Sequence, residues 1–198
     1  FPLDITLDLA KEKGVMVDTP SFQGEFAAHQ EISRTAAAGR FKGGLADASY
    51  ATTKLHTANH LLLAALREVL GDHVHQRGSN ITQERIRLDF SQPQKVTSEQ
   101  LQEVEELVNV KIQENLNMVK EEMTKEEAVK LGAEMEFGIK YGDTVSVYVL
   151  KDAKGNAFSK EFCGGPHVQN TSELSQFEII KEEAVSAGVR RIRAVLKT

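Results

Sequence analysis

Apolar positions recur at helical spacing along "ATTKLHTANHLLLAALREVLG". Leu55, Leu62, Ala65, Leu66, Val69 and Leu70 line one face, and Gly71 supplies a stop. This stretch predicts the longest apolar helix of the chain. Two shorter helical patterns precede it. "LDITLDLAKEK" reads as a helix over residues 3–13, with Asp4 or Thr6 as its cap and Gly14 at its end. "VDTPSFQGEFAAHQEISRTAAAG" reads as a second, entered near Pro20 or Ser21, with Phe22, Phe26, His29 and Ile32 or Ser33 at helical spacing. The Gly-rich, basic "GRFKGGLAD" reads as loop. A domain boundary therefore falls near residue 45, between a helical lead-in (1–45) and a second domain (46–198).

Beyond the long helix the period shortens. "HVHQRGSNITQERIRLDF" predicts strand, turn and strand: His73 and His75 alternate on the first, Gly78, Ser79 and Asn80 form the turn, and Ile86, Leu88 and Phe90 alternate with Arg85, Arg87 and Asp89 on the second. "VTSEQLQEVEELVNVKIQENL" predicts an amphipathic helix packed on the sheet. Thr97 and Gln100 stand in capping-box relation before it, as Thr124 and Glu127 do before the helix "TKEEAVKLG". "DTVSVYVLKD" alternates Val145, Val147 and Val149, "AKGN" supplies a hairpin turn, and "AFSKEF" returns. "QFEIIKEEAV" and "VRRIRAVL" close the chain as two more strands joined at "SAG". The pattern predicts an α+β fold, with a helical lead-in followed by helices packed on an antiparallel β-sheet.

Composition narrows the function. Of 198 residues, 40% are apolar and 27% charged, which suits a protein with a packed core and excludes a disordered chain. No apolar run approaches the ~20 residues of a membrane span, and no basic-then-apolar secretory start is present. A single cysteine cannot form an internal disulfide, which fits a reducing, cytoplasmic setting. The net charge of −5 argues against a free-standing, sequence-independent nucleic-acid binder. Any phosphate contact must be local: Arg190, Arg191 and Arg193 in the last strand, Lys42 and Arg40 at the linker glycines, and Arg77 beside the polar turn. The chain opens on Phe1 and Pro2 without an initiator Met, and reads as a segment of something longer.

Two stretches carry the chemistry. In "HTANH", His56 and His60 stand at i and i+4, so both imidazoles leave one face of the helix. A metalloprotease helix would carry Glu directly after the first His; Thr57 stands there, which excludes that reading. In "EFCGGPHV", the only cysteine, Cys163, precedes His167 by four positions across Gly164, Gly165 and Pro166, a non-helical turn able to aim both side chains at one point. Together the pairs offer three nitrogens and one thiolate, a set that favours Zn²⁺ over Mg²⁺ or Ca²⁺. Buried histidines and a small buried thiol without metal are the competing reading of the same residues.

"HTANHLLLAALREVLGDHVHQRGS", "RIRLDFS" and "CGGPHV" closely resemble the editing domain of alanyl-tRNA synthetases, a domain related to free-standing alanyl-tRNA editing proteins and to the threonyl-tRNA synthetase editing domain. "FPLDITLDLAKEKGVMVD" resembles the synthetase segment after the aminoacylation and tRNA-recognition regions, so the resemblance spans nearly the whole chain. It implies zinc-dependent hydrolysis of mischarged Ser-tRNA(Ala), and also Gly-tRNA(Ala), with His56, His60, Cys163 and His167 as ligands and Gln76 and Ser79 lining the pocket. It further implies the tRNA(Ala) acceptor end and the remaining synthetase domains as partners, with ATP binding elsewhere in the full-length, cytoplasmic protein. Three departures stand out. Asn59 occupies a position where the family commonly has the Thr that helps select the amino acid. Pro166 replaces the Thr of the usual "CGGTH". The linker "GRFKGGLADASYATTK" stands where typical members carry a β-barrel. These departures keep a second expectation open: a zinc-stabilised tRNA-binding module with reduced or lost editing.

Overall fold

The computed structural model describes residues 3–25, 44–136 and 140–197. The chain divides into two compact units, Phe1–Phe41 and Lys42–Thr198. In the first unit α1 spans Leu3–Glu12. Asp4 and Thr6 lie inside it rather than at its cap. Gly14, at φ 64°, carries the chain out of the helix, and the Val15 N–H bonds back to the Ala10 carbonyl at 2.9 Å. Residues 19–25 are helical. Phe26, His29, Ile32, Ser33, Arg40 and Lys42 lie outside the described residues.

The second unit is built around α2, Tyr50–Leu70. Ser49 caps it by accepting from the Thr52 N–H, and the Gly71 N–H closes it on the Arg67 carbonyl at 2.9 Å. The predicted stripe is only part of what α2 buries. Ala58, Leu61 and Leu63 are also inside, because the helix packs against two sheets and a second helix at once. The first sheet has the order β1 (Gln76–Ile81), β2 (Ile86–Ser91), β7 (Val189–Lys197), β6 (Gln176–Ser186), antiparallel throughout. The second has the order β3 (Asn117–Thr124), β4 (Thr144–Lys151), β5 (Ala157–Phe162). The α+β expectation holds, with the strands divided between two sheets where the sequence pattern draws one.

Alternation does its expected work on β2, where Ile86, Leu88 and Phe90 enter the core, and on β4, where Val145, Val147 and Val149 form a separate cluster with Ala128 and Phe162. Phe90 and Phe177 are the largest of the fully buried side chains among the described residues, each contributing about 1.5–3 kcal/mol by removal from water. Both predicted capping boxes are present, on α3 (Ser98–Gln113) and α4 (Lys125–Lys130). From α3, Asn109 accepts from the Phe177 N–H and donates to the Phe177 carbonyl, both at 2.9 Å, while Glu105 accepts from the Ile179 N–H at 2.7 Å. Side chains of a helix thus occupy part of the open edge of β6.

Two expectations need correction. Ser79 and Asn80 are not turn residues. They lie in β1, and the turn falls at Thr82–Arg85, closed by Thr82 N–H to Arg85 carbonyl at 3.0 Å. The strand is prolonged because Gly44 and Ala46 pair with Ile81. A Cβ on Gly44, itself at φ +72°, would stand 2.3 Å from Ser79 Oγ, so only glycine permits this approach. His73 and His75 precede β1 rather than alternating within it.

Candidate metal centre

Thirteen residues of α2 are buried, and six of them, Thr52, Thr53, His56, Thr57, Asn59 and His60, are polar. A run of buried polar groups is costly unless each finds a partner, so it marks a site. Facing it is the loop after β5, which starts at Cys163. The Cys163 N–H bonds to the Ser146 carbonyl of β4 at 3.1 Å, which fixes where the thiol begins. Gly165 then adopts φ +64°, and a Cβ there would meet the Tyr148 hydroxyl at 2.6 Å. Glycine therefore lets the loop close over Tyr148, whose ring lies 4.4 Å from that of His167.

One ligand atom from each of His56, His60, Cys163 and His167 falls within 4.8 Å of every other. Cys163 Sγ is 3.3 Å from His56 Nε2 and 3.3 Å from His167 Nε2. Donors of a tetrahedral zinc site stand roughly 3.3–3.7 Å apart, from bond lengths of about 2.0–2.3 Å, so these separations suit it. The outer ring nitrogens agree. His56 Nδ1 lies 3.0 Å from the Pro166 carbonyl, which can only accept, so the proton sits on Nδ1 and Nε2 faces inward with its lone pair. His60 has Nε2 3.6 Å from Glu161 Oε2, beyond hydrogen-bond length, and a buried Nδ1 with no partner. His60 thus keeps a buried nitrogen that no protein group satisfies.

Electrostatics favour neutral imidazoles, the ligand form. Burial pushes His56 down to about 4. It also holds His60 well below its ordinary range, with the neighbouring His56 adding to the effect, and His167 likewise, with His60 and His56 adding. Burial pushes the Cys163 thiol up to about 12 and Glu161 up to about 8. A divalent cation would reverse the thiol's preference, because thiolate is the ligand form. Three of the four groups are buried; His167 is the partly exposed one, so the cluster reaches solvent on the side of the Gly164–His167 loop.

Next to the cluster, Asn59 Nδ2 donates to Gln76 Oε1 at 3.4 Å, while Asn59 Oδ1 is buried without a partner. Gln76 also bonds Glu136, whose N–H donates to the Tyr141 hydroxyl at 3.1 Å. The structure thus brings Asn59 and Gln76 together beside His60. Ser79 is on the same core-directed face of β1, opposite Leu88. The arginines stand elsewhere. Arg191 makes a bidentate pair with Asp89 (2.6 and 2.8 Å), Arg190 pairs with Glu182, and Arg193 with Glu183 at 3.1 Å. Arg77 is exposed. His73 bonds Gln92 and His75 bonds Glu134; neither belongs to the cluster. Thr57, Glu161, Glu136 and Tyr148 surround the site without any signal in the sequence pattern.

The family described as "Threonyl and Alanyl tRNA synthetase second additional domain" matches residues 145–193, which include Cys163 and His167. Over 99–100% of its length the chain is 51% identical to an alanine-tRNA ligase of Borrelia hermsii, 53% to one of Treponema denticola and 51% to one of Treponema pallidum, in each case covering 32% of the relative. The chain spans about a third of the length of the curated relatives it matches. On that similarity over nearly all of its own length, the chain belongs to the alanine-tRNA ligase family, and corresponds to a part of it that includes the second additional domain.

Proposed function

We propose that this chain is the editing unit of an alanine-tRNA ligase: it hydrolyses the ester of mischarged Ser-tRNA(Ala), and also Gly-tRNA(Ala), with Zn²⁺ held by His56, His60, Cys163 and His167. The observation that carries the proposal is the convergence of those four donors within 4.8 Å, with a buried His60 nitrogen left unpartnered. When bound, zinc supplies a Lewis acid able to orient the aminoacyl group or to activate water. The protein's part is selection. Asn59 Oδ1 is a buried acceptor without a donor. A serine hydroxyl would satisfy it, and alanine would leave it unpaired at a cost of about 1–3 kcal/mol, or roughly ten- to a hundredfold in preference. That is the logic of a second sieve, which removes what a first site of similar size cannot exclude.

In this reading residues 46–198 form the editing domain, and residues 1–45 are the linker that follows the ATP-using aminoacylation and tRNA-recognition regions of a cytoplasmic synthetase. Arg77, Lys42 and the Arg190, Arg191 and Arg193 group would meet acceptor-end phosphates, the last three by exchanging a carboxylate for a phosphate. A second reading rests on the donor count. Four protein donors fill a tetrahedron, as in structural zinc sites, which favours a zinc-stabilised tRNA-binding module with reduced or lost editing. Deacylation of Ser-tRNA(Ala) and Ala-tRNA(Ala), by the protein and by Cys163→Ala, separates the two. Cleavage of the serine ester alone, lost in Cys163→Ala, supports editing. Zinc-loaded protein that binds tRNA(Ala) yet leaves both esters intact supports the second reading.

A further inference from the structure

We propose that Thr57 is a positioning residue of the metal centre, its hydroxyl fixing His167 in the tautomer that leaves Nε2 free to ligate. The inference rests on the metal reading given above and extends it to a residue outside the ligand set. A hydroxyl has one proton to donate and two lone pairs to accept with. Thr57 Oγ1 donates to the Thr53 carbonyl one turn back, at 3.2 Å. Its single proton is then spent. Toward its two other neighbours it can only accept: from the Val168 N–H at 3.2 Å and from His167 Nδ1 at 3.2 Å. His167 Nδ1 therefore carries the hydrogen, and Nε2, 3.3 Å from Cys163 Sγ, presents its lone pair to the cluster.

The arrangement is reciprocal. The loop's Pro166 carbonyl holds Nδ1 of the helix's His56, and the helix's Thr57 holds Nδ1 of the loop's His167. Each element sets the tautomer of the other's ligand across a sequence separation of 110 residues. Thr57 is fully buried, so little solvent is at hand to replace its hydroxyl. Its position is the one where a protease-type helix would carry a catalytic Glu; in this chain it serves the ligand loop instead.

The test compares the full chain with Thr57→Val, which keeps the shape and removes the hydroxyl, and Thr57→Ser, which restores it. Zinc affinity is read by competition with a chromophoric chelator, and the His167 tautomer by long-range ¹H–¹⁵N NMR on metal-free protein. We expect Thr57→Val to bind zinc roughly 10- to 100-fold more weakly, Thr57→Ser to stay close to the parent, and the parent's His167 to carry its proton on Nδ1. Equal zinc affinity in the parent and Thr57→Val, or a Thr57→Ser as weak as Thr57→Val, overturns the proposal. So does a parent His167 protonated on Nε2, a result that stands even where Thr57→Val does not fold. A parent that binds no zinc refutes the metal reading itself. The tautomer then still decides whether Thr57 holds His167.

Discussion

Gln76 and Ser79, three residues apart on β1, face the same side of the sheet. In a regular strand they would face opposite sides. A bulge at Arg77 makes the difference: Gln76 sits opposite Phe90 and Ser79 opposite Leu88, both core residues, with the register shifted between Gln76 and Gly78. The bulge turns Gln76 inward to meet Asn59 and Glu136. Replacing it with alanine strips Asn59 of its one hydrogen-bond partner across the strand. We expect Gln76→Ala to slow Ser-tRNA(Ala) hydrolysis roughly 10- to 100-fold, the equivalent of about 1–3 kcal/mol for a buried polar group left unpaired. Zinc content should not change, since Gln76 is outside the donor set. Single-turnover deacylation together with metal analysis checks both halves. An unchanged rate would remove Gln76 from the pocket.

Zinc should also stabilise the fold. The four donors come from α2 and from the loop after β5, elements that meet only in the folded chain. Metal binding to that state alone adds about 2.7 kcal/mol at a hundredfold excess over Kd. Chelator should therefore lower the unfolding temperature, and added zinc should restore it. Cys163→Ala should respond to neither. A thermal melt insensitive to chelator in protein shown to contain zinc would contradict this coupling.

The cluster of His56, His60, Cys163 and His167 was legible in the sequence because His and Cys carry metal chemistry wherever they stand, and their i, i+4 spacing is visible locally. Their supports were not. Thr57 and the Pro166 carbonyl act across 110 residues, and a threonine inside a helical run carries no sign of that. Strand β2 was legible because one of its faces is buried. Strand β3 was not: Lys120, Glu121 and Glu122 follow one another at the edge of a sheet, and only partly buried Met118 and Met123 face the clusters. The misplaced turn has a similar cause. Ser79 and Asn80 look like turn residues, and it is the pairing of Ile81 with distant Gly44 and Ala46 that keeps them extended.

Asn109 offers a test of the edge cover. Its amide satisfies both the N–H and the carbonyl of Phe177, and also donates to the Glu105 carbonyl. Asn109→Ala leaves the two Phe177 groups without that partner next to a fully buried ring. We expect a loss of about 2 kcal/mol, seen as a lower urea midpoint with an unchanged m-value. Asn109→Asp keeps the acceptor and loses the donor, so it should fall between the two. A midpoint unaltered by Asn109→Ala would show that water takes over the edge of β6.

Acid should loosen the start of α2. The exposed Asp47 carboxylate accepts from Gln83 Nε2 at 2.8 Å, Thr52 Oγ1 at 2.7 Å and the Ser49 N–H at 2.9 Å. These bonds, the one from Gln83 foremost, hold its pKa well below its ordinary 3.8. A carboxylate depressed in the folded state contributes stability that is present above its unfolded pKa and is lost as pH falls toward the folded one. The advantage of the parent over Asp47→Asn should therefore be constant from pH 7 to about 5 and shrink as pH drops below about 4. Urea midpoints of both proteins across that range check the sign. An advantage that grows on acidification would mean that the Asp47 bonds do not favour the charged form, and that the cap of the site-bearing helix is held by Ser49 alone.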